Sequence, residues 1–385
     1  MSGHNFQIEN LELEDSKRLY KHFFCLDEDF LSNNEVERIR TYYPLVKKND
    51  LKLVLENIQA TSEKDGYSFL AKNELKKKKN NENQFTFALI NGREDEGNSF
   101  IRFKEELIKK NIKFDQFWLN DIYFDNSGLR GFPIENNYKA VLLANPEPLE
   151  SDSAPIFLLK SKILETIAAN QLMVPEPKAD LNARSKLHSL EIFGRWNIST
   201  PTTFITSSIH DAFSFIKEQH SKENDVVIKP IAKGGGWAVS KIPRSASEKR
   251  IFDTLGKYKW WYGGGVLYLQ KFVENGGFDK RVLMVGDLVI GTEKRNAITD
   301  KESWIYNISK GAIGSNASLS EEELFIARKA FEVTNQFFSG IDLIADTEGQ
   351  NFILEVNSCP GFKGFEKFLN INVASFVLDY ISFFS

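Results

Sequence analysis

The chain has 385 residues, 42% hydrophobic and 26% charged, with a net charge of −4. That balance suits a folded protein of two or three domains and gives no reason to expect nucleic acid or an anionic membrane as a partner. Cys25 and Cys359, the only cysteines, exclude a disulfide framework, and the polar N-terminus and lack of a long apolar run predict a cytoplasmic protein without a membrane segment.

Residues 11–24 and 33–43 are charged amphipathic stretches, and residues 49–58 place apolar side chains at helical spacing behind an Asn-Asp cap. Residues 1–83 are therefore expected to form a helical extension. Its last part, residues 73–83 with Lys76 to Lys79, is almost wholly polar and is expected to be a solvated linker.

A second domain is expected over residues 84–183. Residues 85–90 spell a strand, 99–110 an amphipathic helix and 113–120 another strand, which together make a βαβ unit. Arg93, Glu94 and Asp95 then lie at the carboxyl end of a parallel strand, where such sheets bind ligands. Residues 138–144 predict a further strand, 157–170 a helix and 173–177 a connection.

The third domain is expected over residues 184–385. A capped helix at 185–194, a strand reached through 195–205 and a helix at 209–220 lead to a strand that carries Lys229 near its end. Gly234, Gly235 and Gly236 follow, a turn whose backbone N–H groups can approach phosphate oxygens beside Lys229 and Lys233. It lacks the ending of a Walker loop, so a glycine hairpin with lysines remains the plainer alternative. Residues 266–273 predict a strand, and residues 282–285 and 288–295 a hairpin turning at Gly286 and Asp287. Arg281 and Arg295 flank this hairpin, suited either to phosphate or to acidic partners across the strands. A capped helix at 320–333 precedes a second hairpin, of two apolar runs at 341–345 and 352–356. Glu355 and Asn357, two residues apart, face one side of its second strand, and Asp342 can lie opposite. Three hard oxygen ligands on one face suit Mg²⁺ with a nucleotide phosphate; a salt-bridged strand pair is the alternative.

In this order and spacing, residues 184–361 resemble the ATP-grasp superfamily, specifically its RimK-like α-glutamate ligase branch. The matching pieces are Arg184-Ser-Lys-Leu-His-Ser, Val227-Ile-Lys-Pro with its glycine loop, Leu269-Gln-Lys-Phe-Val, Gly277-Phe-Asp-Lys-Arg, Glu293-Lys-Arg, Asn307-Ile-Ser-Lys-Gly, Gly340-Ile-Asp-Leu and Leu354-Glu-Val-Asn-Ser-Cys-Pro-Gly. Residues 84–180 are more weakly similar to the family's pre-ATP-grasp domain. The implied fold is α/β and α+β: a pre-ATP-grasp βαβ domain, then a two-lobed ATP-grasp clamp, with the N-terminal helical extension added.

The resemblance implies that Lys186 and Lys229 contact ATP phosphates, with Gly234, Gly235 and Gly236 as a lid that keeps water out. It places Gln270, Lys271, Phe272 and Val273 at the hinge that meets adenine, and Asp279 at the ribose. Arg281, Arg295 and Asn307 fall at phosphate and acyl-intermediate positions, and Asp342, Glu355 and Asn357 at the positions that hold Mg²⁺, two ions with Mn²⁺ as a substitute. Lys271 stands where the family has an acidic residue, which leaves adenine to backbone groups. Cys359 lies in a variant of the family's Ser-Ser-Pro-Gly tail, where the chemistry needs no thiol. The activity implied is an ATP-dependent carboxylate–amine ligase that adds glutamate or another amino acid to a peptide, protein or small-molecule carboxylate. A peptide macrocyclase and an inactive nucleotide-binding regulator are the alternatives, and self-association is left open.

Overall fold

The computed structural model describes residues 86–92, 98–144, 154–231, 238–262, 265–286, 288–297, 304, 306 and 312–384. The chain divides into two compact units, Thr86–Ile371 and a second made of Met1–Phe85 with Asn372–Ser385. The helices expected before residue 84, Arg93 to Asp95, the glycine turn Gly234 to Gly236 and Asn307 all lie outside the described residues. No helix among the described residues is long and apolar enough to cross a membrane.

The larger unit opens with the expected βαβ: β1 (Thr86–Asn91), α1 (Asn98–Lys109) and β2 (Lys113–Trp118). β1 and β2 are parallel, with Thr86 opposite Lys113. Phe100, Phe103 and Leu107, at helical spacing, form the buried stripe of α1. A small hairpin of β3 (Tyr123–Asp125) and β4 (Gly128–Arg130) was not legible in its polar sequence. β5 (Val141–Ala144), shorter than the expected 138–144, pairs parallel with β1, and α2 (Ala154–Ala168) follows. Residues 173–177 are not simply a connection, because Met173 and Val174 form β6, parallel to β5. Two residues are too few to show an alternating pattern. The sheet order is β2-β1-β5-β6.

α3 (Pro177–Arg184) begins with proline at its first turn, behind Glu176, whose side chain accepts from the Ala179 N–H. α4 (Lys186–Arg195) is capped by Ser185. An antiparallel sheet of order β7-β10-β8-β9 comes next. Its elements are β7 (Thr203–Thr206), α5 (Ile209–Ser221), β8 (Val226–Lys229), β9 (Ser240–Ile242), α6 (Glu248–Lys257) and β10 (Leu267–Lys271). Ile216, Ile228, Leu255 and Leu269 sit in the core between this sheet and its two helices.

The last sheet has the order β13-β12-β11-β14-β15 and is antiparallel throughout. β11 (Phe278–Val285) is longer than the expected 282–285 and so takes Asp279 and Arg281 into the sheet. β12 (Leu288–Asn296), the edge strand β13 (Ile313–Asn316), α7 (Glu321–Val333), β14 (Phe338–Ala345), β15 (Asn351–Asn357) and α8 (Lys363–Leu369) complete the unit. α7 starts in a capping box of Ser320 and Glu323, and its Ala327, Ala330 and Phe331 pack on Val282, Ile341 and Val356 of one sheet face. The opposite face is left for other work. α9 (Val373–Phe384) belongs to the smaller unit.

Candidate active site

Register decides which side chains share the free face of the five-stranded sheet. Arg281 lies opposite Glu293 on one side and Asp342 on the other; Asp342 lies opposite Glu355, and Glu293 opposite Asn316. A single row therefore crosses all five strands: Asn316, Glu293, Arg281, Asp342, Glu355. The neighbouring row carries Gly314, Arg295 and Asp279.

A bulge sharpens this arrangement. The β14–β15 register shifts between Asp342 and Leu343, so Leu343 faces Ile353 and Leu354 is extra. Ile353 and Val356 both enter the core with Leu343. Leu354 and Glu355 both line the cleft.

That cleft is open to solvent, and the space between its walls, solvent included, is about 830 Å³. Lys186, Lys229, Gln270, Lys271, Phe272, Val273, Asp279, Arg295, Asp342 and Glu355 line it, with apolar walls from Pro201, Val227, Val239, Trp304, Ile344 and Leu354. Of the expected residues that are described, Arg281 and Asn357 alone are outside this lining, and both stand beside it on the same face. Sequence reasoning assigned no role to Trp304 or Tyr306, which also line the cleft. Trp304 meets Phe272 edge-on at 5.7 Å between ring centroids.

Charge is handled differently on the two sides. Arg281 donates from Nε and Nη2 to the two Asp342 oxygens at 2.6 and 2.7 Å, and Arg295 grips Asp279 in the same way at 2.7 and 2.6 Å. Arg295 Nη2 also lies 3.2 Å from Asp342 Oδ2, and Arg281 Nη2 lies 3.9 Å from Glu355 Oε1. These are fork-to-fork pairs, the Arg295–Asp279 pair buried and the Arg281–Asp342 pair partly so, not the surface arginines that the sequence left open. Burial pushes the Asp342 carboxyl up, but Arg281 and Arg295 outweigh it and hold it at about 2. Burial prevails at Asp279, pushed up to about 6 against Arg295. Glu293 is also raised by burial, against Arg295 and Arg281.

Lysines dominate the other side. Lys229, at the end of β8, donates to the Gln270 side-chain oxygen at 2.9 Å; Gln270 is oriented by donating to Thr203 Oγ1 at 2.8 Å. Burial, followed by the nearby positive charge of Lys186, pulls the Lys229 ammonium down to about 8. Lys186 is buried at the first residue of α4, where a cation opposes the helix dipole, and its Nζ lies 3.9 Å from Glu355 Oε2. A buried cation in that position is costly, which fits a group kept for an anion.

Asp342, Glu355 and Asn357 are an all-oxygen donor set of the hard type that Mg²⁺ takes. Asn357 Nδ2 donates to Glu355 Oε1 at 3.1 Å, which leaves its amide oxygen as an acceptor. Both Asp342 oxygens already accept from guanidinium groups, but each carboxylate oxygen has two acceptor positions. The residues therefore fit the ion, with phosphate and water oxygens completing the shell. Among the described residues, no three His, Cys, Asp or Glu side chains form a metal cluster by themselves.

One further network ties the site together. Asp180 accepts a two-pronged grip from Arg184, and its Oδ1 accepts from Ser358 Oγ at 2.5 Å. It links α3, whose end runs directly into α4 and Lys186, to Ser358, just past β15 with its Glu355 and Asn357. Cys359 donates to the Leu143 carbonyl at 3.5 Å, and burial raises its thiol well above the ordinary range, so it is no nucleophile.

Comparison with known proteins finds relatives over the span that forms this cleft. The RimK-like ATP-grasp domain family matches residues 183–381. A tetrahydromethanopterin:alpha-L-glutamate ligase of Methanosarcina acetivorans is 30% identical over 239 residues, which cover 56% of this chain and 72% of that protein. An alpha-aminoadipate–LysW ligase, LysX, of Saccharolobus solfataricus is 30% identical over 205 residues, 52% of this chain and 70% of the relative. Among solved structures, the ATP-grasp ligase PsnB complexed with a minimal precursor superposes with a TM-score of 0.59 at 17% identity, covering 78% of this chain and 100% of that one. The D-cycloserine synthetase DcsG does so with a TM-score of 0.59 at 12% identity, over 78% of this chain and 100% of the other. At such identities these two structures speak for the fold.

Proposed function

The chain belongs to the RimK-like ATP-grasp family and is an ATP-dependent ligase, and from that premise we propose that it joins glutamate or another amino acid, as the amine, to a carboxylate on a peptide, a protein or a small molecule. The observation that carries this reading is the opposition of Lys186 and Lys229 to a row of carboxylates and arginines across one cleft. A nucleotide triphosphate with a hard cation has the matching charge pattern.

On this reading the adenine lies against Phe272, Val273 and Trp304. The Lys271 and Phe272 N–H groups already donate to the Thr202 and Asp225 carbonyls, so hinge carbonyls and the Val273 amide read the base. Lys186 and Lys229 hold phosphate oxygens. Asp342, Glu355 and Asn357 hold Mg²⁺, used by the family with ATP, which neutralises phosphate charge during transfer. Arg281 and Arg295 stabilise the transferred phosphoryl group and the oxyanion formed when the amine attacks. The carboxylate is activated as an acyl phosphate because its own oxygen is a poor leaving group. The glycine turn Gly234 to Gly236, as a lid, and Asn307, beside the acyl group, take the roles that the resemblance implies.

Phosphate release from ATP, measured with each of the twenty amino acids and with peptides ending in glutamate, tests the reading. Release stimulated by an amino acid, with a product heavier by one residue on mass spectrometry, is the expected result. Turnover driven by a peptide alone, losing one water with no amino acid gained, would replace it with internal crosslinking.

A further inference from the structure

The row that crosses the sheet does not end at Arg281. Its next member, Glu293, is 3% exposed, and its Oε1 has no hydrogen-bond partner among the described residues. An unpaired buried carboxylate oxygen is expensive, and native proteins keep such groups where a ligand or a reaction uses them. The space around this oxygen is bounded by glycine. A Cβ added at Gly314 of β13 would fall 2.2 Å from Glu293 Oε1, and one added at Gly364 of α8 would fall 3.5 Å from it. The row ends at Asn316, an exposed polar residue on the edge strand, so the carboxylate lies one strand from solvent.

Position along the row gives this carboxylate its meaning. Asp342 and Glu355 lie on one side of Arg281 and Glu293 on the other. With neighbouring strands about 4.8 Å apart, Glu293 and Asp342 are about 10 Å apart along the sheet. An acyl phosphate held by Arg281 would have the metal carboxylates toward its phosphate and Glu293 toward its far side. The group required there is an amine, which arrives protonated near neutral pH and must lose a proton to become a nucleophile.

We propose that Glu293 is the amine-side carboxylate of the site: it binds the ammonium group of the incoming substrate and takes its first proton. The proposal rests on the ligase reading above. The ammonium gives one proton to Glu293, and the freed nitrogen lone pair forms the C–N bond at the acyl carbon. The C–O bond to phosphate breaks with its electron pair leaving on the phosphate, which takes the second nitrogen proton. Amide and hydrogen phosphate result, and Glu293 returns its proton to solvent. Burial raises this carboxyl, and Arg295 and Arg281 beside it act the other way, toward the ionised form that this role needs.

Calorimetry with the full chain, ADP and Mg²⁺ tests the binding half, with each of the twenty amino acids as probe. At least one should bind the wild type, tenfold or more weaker to Glu293→Gln and intermediate to Glu293→Asp. Gly364→Ala, which keeps the carboxylate and sets a methyl at ordinary contact, 3.5 Å, from Oε1, should weaken the same probe and decides the matter if Glu293→Gln does not fold. A wild type that binds none of the twenty, or variants that bind as well as it does, overturns the proposal. Hydroxylamine tests the chemical half, because it is uncharged near neutral pH and captures an acyl phosphate without an ammonium site or a base. Hydroxamate formation on the peptides ending in glutamate should survive in Glu293→Gln while amide formation falls; equal loss of both overturns the amine role. No hydroxamate from the wild type would instead count against the ligase reading, and the calorimetry would still decide Glu293.

Discussion

The two sheets that face each other across the cleft solve opposite electrostatic problems. In the four-stranded sheet, Lys229 has, among the described residues, a neutral amide as its hydrogen-bond partner and is drawn down to about 8. In the five-stranded sheet, Arg281 and Arg295 are each gripped by a carboxylate through two hydrogen bonds. On the proposed function, the first is the surface that receives the anion. The second already contains its own counter-charges, so its geometry is set before any ligand binds. One lobe supplies attraction and the other supplies order.

If that division holds, the largest effect should come from the ordered lobe. Glu355→Ala should lower ATP turnover by about 10³-fold or more, read as phosphate release; turnover near the wild-type rate would show that Glu355 is not a cation ligand. Asp342→Asn should lower stability by about 3–5 kcal/mol, seen in denaturant unfolding, because two buried guanidiniums lose an ionic partner. The sign with pH follows from the depressed carboxyl. Its contribution is complete above about pH 4 and is lost as pH falls from 4 toward 2, so wild type and variant should converge in acid.

The attracting lobe should give a smaller, ligand-dependent effect. Lys229→Met should weaken ATP binding by about 10- to 100-fold, the range for a charged hydrogen bond, with little loss of fold. Wild-type affinity should fall as pH rises through about 8, since the free protein then holds less of the ammonium form, and the variant's affinity should be flat over that window. Burial of this ammonium opposes folding below pH 8, and that opposition fades between pH 8 and 10.5. A pH-independent wild-type affinity would remove Lys229 from the phosphate site.

Asp180→Asn should be the mildest. It loosens the link between α3, which leads into α4, and the end of β15, so Mg²⁺ dependence should shift by about tenfold while ATP affinity changes little. Equal shifts in both would make Asp180 a general support of the fold and not a coupler of these two elements.

Much of this was written in local sequence. The apolar runs at 341–345 and 352–356 are long enough to announce strands, and an acidic residue inside each announces a site. The βαβ unit, the Ser320 cap and the turn at Gly286 were legible for similar reasons. The edge strand β13 was not, because Ile313-Gly-Ser-Asn316 has no strand propensity and exists only by pairing with β12. α3 is one short turn pair that starts with proline, and no amphipathic period distinguishes it. The pairing of Arg281 with Asp342 joins residues 61 apart, which local pattern cannot specify. Nor does the bulge at Leu354 leave a mark in the sequence, although it decides which face Ile353 takes. Glu293 was visible beside Arg295, yet the orphaned oxygen that gives it interest depends on a strand and a helix that only folding brings together.

The fork between Arg281 and Asp342 has one more consequence. Each of its hydrogen bonds uses one acceptor position of an Asp342 oxygen, so a cation on Asp342 would share that carboxylate with the guanidinium. An ion there would slacken the hold of Asp342 on Arg281 and leave the guanidinium freer to meet phosphate. Phosphate on Arg281 would likewise leave the carboxylate freer to meet the ion. On the proposed function, cation and nucleotide should therefore each raise the other's affinity.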